Sequence, residues 1–178
     1  MKFKKLKKIK DLLLINNSHF EDKRGVLSRN FCSKNLKKLR FKVVQGNISY
    51  NKSKHTLRGF HYQKGKFKEK KIITAINGSI FNVVIDLRKN SKTFLKSEKI
   101  ILKANNYQSL YVPDGCANAY LTLEKNTIIH YYMGNFYNKK YYSGFRFNDN
   151  FFNINWPFKP KVISKKDRSY SDFTLKNL

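Results

Sequence analysis

The stretch Leu57-Arg58-Gly59-Phe60-His61-Tyr62-Gln63 brings a guanidinium, a glycine, an imidazole and an amide into seven residues bounded by apolar side chains. A short run this rich in apolar and aromatic residues predicts a β-strand. Strand side chains alternate between faces, so Arg58 and Phe60 are expected on one side and Gly59, His61 and Gln63 on the other. Such a face holds groups able to move a proton and to donate and accept hydrogen bonds. Burial in a core is the plainer account of a single histidine among apolar residues, and a second polar cluster elsewhere is what argues against it.

Working outward, almost everything downstream reads as β. Lys71-Ile72-Ile73-Thr74-Ala75-Ile76 and the run Ser79 to Leu87 flank Asn77-Gly78, a strong hairpin signal, so the two strands are expected to pair. Further strands are predicted at Phe41 to Tyr50, Ser97 to Leu102, Gln108 to Val112, Ala119 to Leu123 and Thr127 to Tyr132. Short strands divided by Asn, Asp and Gly turns predict a mainly β protein, a sandwich or jelly-roll barrel. Phe3, Leu6, Ile9, Leu12 and Leu13 have helical spacing, but the compact run Leu12 to Ile15, ended by Asn16-Asn17, favours a pair of short strands. Residues 16 to 25 read as a charged, turn-rich connection. Ser33 to Arg40 reads as one short helix with Ser33 as its N-cap. The C-terminal part, with Phe145, Phe147, Ile154 and Trp156, reads as an irregular segment packed by aromatics. It continues through an acid-bearing turn at Ile163 to Asp167 and a short helix from about Tyr170.

A length of 178 residues suits one domain, expected to span residues 1–178, and no Gly/Ser/Pro-rich linker divides the chain. The formal net charge of +27 raises anionic partners: nucleic acid, a membrane surface or a phosphorylated ligand. The lysines are scattered through every segment, however, and no RNP signature, zinc-finger spacing or Gly-rich single-strand groove accompanies them, so no nucleic acid partner is expected. A basic nucleic-acid-binding module is the alternative from a different class. Cys32 and Cys116 lie far apart, outside any C-x-x-C pair, which fits a reducing cytoplasm. The apolar run after the basic N-terminus is too short for a signal-peptide core. No stretch approaches the ~18 apolar residues of a membrane-spanning helix, so no membrane insertion is expected.

A set of fragments in order then resembles one family. These are Phe20 to Gly25, Gln45-Gly46-Asn47-Ile48-Ser49, Leu57 to Gln63, Asn77-Gly78 to Asp86-Leu87-Arg88 with Ser91, Val112-Pro113-Asp114-Gly115, Thr122-Leu123-Glu124, Asn148-Asp149, Ile154 to Pro157 and Ser164 to Asp167. Together they are similar to the dTDP-4-dehydrorhamnose 3,5-epimerases, across nearly the whole chain. The resemblance implies a cupin-like jelly roll with one or two short helices, working as a homodimer whose N-terminal segment is exchanged between subunits. It implies an isomerase acting on a nucleotide-diphosphate-linked 4-keto-(deoxy)sugar. The ketone acidifies the neighbouring C–H bonds, so a base removes a proton at C3 or C5 and an acid returns one from the opposite face, without a cofactor.

By the same resemblance His61 is the base and Asp167 the carboxylate that orients it. Lys71 is the cation beside the sugar's C4 oxygen, where enolate charge develops, and Tyr131 is the opposite-face acid. Arg58 pairs with the diphosphate, a task suited to the guanidinium fork. Gln45, Asn47, Gln63 and Tyr137 line the substrate site, and Arg24 reaches into the neighbouring subunit. Three positions depart from the family pattern. Asn118 stands in Gly115-Cys116-Ala117-Asn118-Ala119-Tyr120 where the family has a histidine, Arg29 where it has a glutamate near the nucleobase, and Tyr142 where it has a glutamate before Gly144. An amide cannot carry a proton charge, so these departures imply a different nucleotide or sugar, or a single-centre epimerase or ketoisomerase on the same fold. No metal site is expected, because only His61 lies on the relevant strand and no His-x-His pair is present. His130 reads as structural, facing away from Tyr131, and His19 and His55 as surface or loop residues.

Overall fold

The computed structural model describes the backbone of residues 1–178 and every side chain except that of Asn177. In chain order the strands begin with β1 (Lys2–Lys5), β2 (Leu13–Asn16), β3 (His19–Asp22), β4 (Gly25–Ser28), β5 (Gln45–Asn51) and β6 (Thr56–Gln63). They continue with β7 (Lys71–Asn77), β8 (Ser79–Asp86), β9 (Ser97–Lys103) and β10 (Gln108–Val112). The last are β11 (Cys116–Thr122), β12 (Thr127–Met133), β13 (Tyr142–Gly144) and β14 (Val162–Ile163). One sheet runs β1-β2-β10-β7-β12-β5, and a second, β13-β6-β11-β8-β9, faces it, with β14 joined in parallel to β6. The result is a cupin-like jelly roll.

Three apolar layers hold the sheets. Between them, Leu14, Ile73, Ala75, Leu110 and Ile129 of the first sheet meet Ile80, Val84, Leu102 and Cys116 of the second. The outer face of the second sheet, with Phe60, Val83, Ile85 and Ala117, is covered by Phe145, Phe152, Trp156 and Phe173 of the C-terminal segment. The outer face of the first, with Leu13, Ile15, Ile72 and Tyr111, is covered by Leu36 and Phe41. Burial on both faces explains why β8 and β11 are apolar almost without interruption, whereas the edge strand β5 alternates between half-buried and exposed.

The N-terminal pair of short strands and the aromatic packing of the C-terminal part follow the sequence expectation. Four local expectations do not. Asn77-Gly78 is a corner between sheets, because β7 already pairs with β10 and β12 while β8 pairs with β9 and β11. Gly78 turns the chain there at φ +70, and a Cβ on it would lie 2.7 Å from Thr127 Oγ1. Residues 16 to 25 contribute to the exposed hairpin β3–β4, a ladder of four residue pairs. The expected helix at 33 to 40 is one α-helical turn, α1 (Ser33–Leu36), followed by a 3₁₀ turn at Lys37–Leu39; its N-cap is Cys32, with no side-chain cap bond. No helix starts at Tyr170, which is extended. The helix lies just before it, as α2 (Lys165–Ser169), and a 3₁₀ turn follows at Leu175–Asn177.

Candidate active site

Simple alternation along β6 also fails, and the failure builds the site. Asn118 pairs with His61 and Tyr120 with Arg58, so Gly59 and Phe60 together stand opposite the single residue Ala119. This bulge adds one residue to β6 and turns Arg58 and His61 to the same face, while Phe60 drops into the aromatic layer behind the sheet. Only glycine fits at 59, where φ is +119 and a Cβ would come within 2.6 Å of the Ala119 Cα.

Arg58 and His61 line a cavity of about 590 Å³ between the sheets. Gln45, Asn47, Lys71, Asn118, Tyr131 and Tyr137 line it too, each from an inward-facing strand position or, for Tyr137, from the loop after β12. Behind the wall stands Asp167, presented by α2. Ser164 caps that helix by accepting from the Asp167 N–H at 3.0 Å, a Ser-x-x-Asp spacing legible in the sequence. Asp167 Oδ1 lies 2.7 Å from His61 Nε2, and the Gly59 N–H donates to Oδ2 at 3.3 Å. A carboxylate only accepts, so Nε2 carries the proton and Nδ1 keeps the lone pair in the neutral ring. Burial pushes the Asp167 carboxyl upward. The hydrogen bond and charge of His61, with the bonds from Gly59 and Ser164, outweigh this and hold it below the usual carboxylate range.

Lys71, rather than Lys70, turns into the cavity. It is paired at 2.8 Å with Glu69, which is itself buried, whereas Lys70 Nζ donates to the Leu39 and Arg40 carbonyls. Arg58 Nε donates to Asn51 Oδ1 at 3.0 Å. Gln45 donates to Asn47 Oδ1 and accepts from the Tyr137 N–H, which ties both sequence-predicted amides to the loop carrying that tyrosine. Tyr131 and Tyr142 face the cavity with phenols pushed up by burial, so both stay protonated through the neutral range. The Tyr142 ring lies 5.2 Å from the His61 ring and carries Lys166 Nζ over its face at 4.4 Å.

Three predicted site residues are elsewhere. Gln63, fully buried, spends its amide donating to the Phe67 and Phe136 carbonyls and accepting from the Asn138 N–H, so it clamps a loop and does not line the cavity. Gln63 shares the strand face of His61, but the loop after β12 covers it. Arg24 is exposed at the tip of the β3–β4 hairpin and paired with Asp22 at 2.6 Å. Arg29 is exposed beyond that hairpin, its N–H donating to the Ser18 carbonyl. Within one chain both lie outside the cavity. The sequence reading missed Glu69, Tyr120 and Ser49. Tyr120, whose hydroxyl pairs with Ser49 at 2.9 Å, stood two residues beyond Asn118 on one strand, so alternation alone would have found it. His130 stands on the other face of β12 from Tyr131, 3.2 Å from Asn30 Nδ2. Among the described residues no three His, Cys, Asp or Glu side chains converge as a metal site.

A jelly roll whose interior cavity holds an imidazole–carboxylate pair, a lysine and protonated tyrosines has the groups that an isomerase of keto sugars needs to move a proton beside a carbonyl. A family model for dTDP-4-dehydrorhamnose 3,5-epimerase matches residues 6–174. The chain is 33% identical over 162 residues to the enzyme of that name from Shigella flexneri, covering 89% of each. Crystal structures of enzymes so named superimpose closely. That from Bacillus anthracis, with TDP and PPi bound, gives a TM-score of 0.92 at 34% identity over 97% of this chain and 99% of that one. That from Elizabethkingia anophelis gives 0.92 at 35% identity over 100% and 99%. The chain belongs to the dTDP-4-dehydrorhamnose 3,5-epimerase family, and the enzyme is an isomerase.

Proposed function

We propose that this enzyme epimerises C3, C5 or both in a 4-keto-6-deoxy sugar linked to a nucleoside diphosphate, with dTDP as the nucleotide its relatives' names carry. The observation that carries the reading is the His61–Asp167 pair set into the cavity wall, with a cation, Lys71, and a protonated phenol, Tyr131, on the facing sheet. His61 takes the proton from the carbon beside the ketone, and the electron pair of that C–H bond moves into the carbonyl to give an enolate. Lys71 offsets the charge that grows on the oxygen. Tyr131 then gives its proton to the opposite face of the same carbon, forming the new C–H bond as the carbonyl returns. Asp167 keeps the imidazole tautomer and accepts no proton. Arg58 engages the diphosphate.

The test is deuterium uptake at C3 or C5 when enzyme and a dTDP-4-keto-6-deoxy sugar are mixed in D2O. Wild type is expected to exchange, and His61→Ala to lose exchange by about 10³-fold. Exchange that survives the substitution intact would sink the role given to His61.

We further infer a homodimer in which the β3–β4 hairpin is exchanged, bringing Arg24 and Arg29 to the partner's cavity. Two of the other edge strands are guarded by charge, Lys2, Lys4 and Lys5 on β1 and Lys99 and Lys103 on β9, whereas β5 carries no charged residue. Phe20 and Leu27 on the hairpin and Ile48, Tyr50 and Ile76 on the first sheet are all exposed large apolar residues. A monomeric mass by light scattering at micromolar concentration would defeat this. The free thiols of Cys32 and Cys116 agree with placing the enzyme in the cytoplasm.

A further inference from the structure

The wall beside the base carries an amide whose orientation its neighbours determine. Asn118 stands opposite His61 in the β6–β11 ladder, and both line the cavity, so the two side chains are near neighbours. Asn118 Nδ2 donates to Asn82 Oδ1 at 3.0 Å and to the Val83 carbonyl at 3.1 Å. A backbone carbonyl can only accept, so the nitrogen must face it, and the flipped amide is excluded. Both amide hydrogens are thereby used. Oδ1 meets no protein donor among the described residues and is the polar atom left for the cavity.

Asn82 shows what this arrangement costs. It is wholly buried, it spends its oxygen on Asn118, and its own Nδ2 has no partner among the described residues. A buried donor left unpaired is unfavourable, and an apolar side chain would avoid it, as Ile80 and Val84 do on the same face of β8. An unpaired amide at 82 has its explanation in what it holds.

We infer that Asn118 is a specificity-determining residue whose Oδ1 accepts a hydrogen bond from the C2 or C3 hydroxyl of the sugar, with Asn82 as the residue that positions it. The inference rests on the epimerase reading above. It gives the cavity two oxygen sites of opposite polarity. The Lys71 ammonium, a donor, suits the ketone oxygen and the enolate it becomes. Asn118 Oδ1, an acceptor, suits only an O–H and gains nothing from a ketone, an ether or a phosphate oxygen. A 4-ketosugar with that hydroxyl free can satisfy both in one orientation, and a sugar deoxygenated there cannot.

The experiment compares deuterium uptake from D2O with a dTDP-4-keto-6-deoxy sugar and its 2-deoxy and 3-deoxy analogues. In wild type, one of the two analogues is expected to lose at least about ten-fold in kcat/KM against the parent sugar, because a site built to bond a hydroxyl is left unpaired by its absence. Asn118→Leu should bring that ratio close to one, chiefly by slowing the parent sugar, and Asn82→Ala should narrow it. The wild-type comparison needs no variant to fold. Equal rates on all three sugars in wild type, or an Asn118→Leu protein slowed by the same factor on all three, would overturn the inference while leaving the epimerase standing. Exchange with none of them overturns both.

Discussion

At one end of the space between the sheets Ala75, Ile80, Val84 and Leu110 close on one another. At the other, Ile73 and Ile129 border a cavity walled by Lys71 and Tyr131, the next inward positions on their strands, and by Asn118 and Tyr120 from β11. One step of two residues, about 7 Å, carries β7 and β12 from apolar packing to polar cavity wall. The lesson is a division of labour. The filled end supplies the burial that keeps the sheets together, which lets the fold hold a buried Glu69–Lys71 pair at the cavity and an unpartnered Asn82 amide behind its wall.

The harshest way to break this comparison is to remove the bulge that lets β6 serve both ends. Gly59→Val, whose Cβ meets Ala119 at 2.6 Å, is expected to cost about 3 kcal/mol or more in thermal denaturation and to abolish exchange. A variant with normal activity would show that Arg58 and His61 do not depend on the bulge. Next in size, Asp167→Asn should lower exchange by about 10³-fold with the melting temperature changed far less, because the carboxylate serves the imidazole more than the fold. Equal losses in activity and stability would erase the distinction between the ends. Leu110→Ala should do the reverse at the filled end. It is expected to cost about 3 kcal/mol in urea denaturation while the exchange rate per folded molecule holds.

The smallest effect is acid sensitivity. Burial raises the Asp86 carboxyl, but Arg88, Ser91 and Thr93 together lower it further, and Asp167 is likewise held below its ordinary 3.8. Groups depressed in the folded state contribute fully above about pH 4, and that contribution is lost as pH falls through their folded values. Stability measured from pH 7 downward should therefore stay level with respect to these two groups until about pH 4 and then decline. In Asp167→Asn the decline should be shallower. An unchanged slope would mean that Asp167 is not held as its bonds imply.

Much of the site was legible in advance because its motifs are local. His61 and Gly59 lie within one expected strand, the runs of β8 and β11 were expected as strands, and Asp167 was expected on an acid-bearing turn that is in fact the start of α2. What misled was each inference that needed a partner. Asn77-Gly78 has the chemistry of a hairpin turn, and β7 nonetheless pairs with strands remote in sequence. Gln63 has the parity of His61, and a loop from residues 136 to 138 claims its amide. By contrast, Arg24 on the β3–β4 hairpin and Arg29 just beyond it are exposed in a single chain, as a segment expected to reach a neighbouring subunit would be.

By itself, then, the sequence determined a mainly β chain through its short-range periodicity, and through ordered motifs a resemblance to its family that implied the jelly roll and the residues proposed as base, carboxylate, cation and acid. Periodicity and motifs are properties of short segments. Only the tertiary structure decided which side of β6 Arg58 and His61 share, which lysine of Lys70 and Lys71 enters the cavity, and that Asn82 and the Val83 carbonyl hold the Asn118 amide nitrogen. Those outcomes depend on register between strands far apart in the chain, and register is set by how all the faces are buried at once.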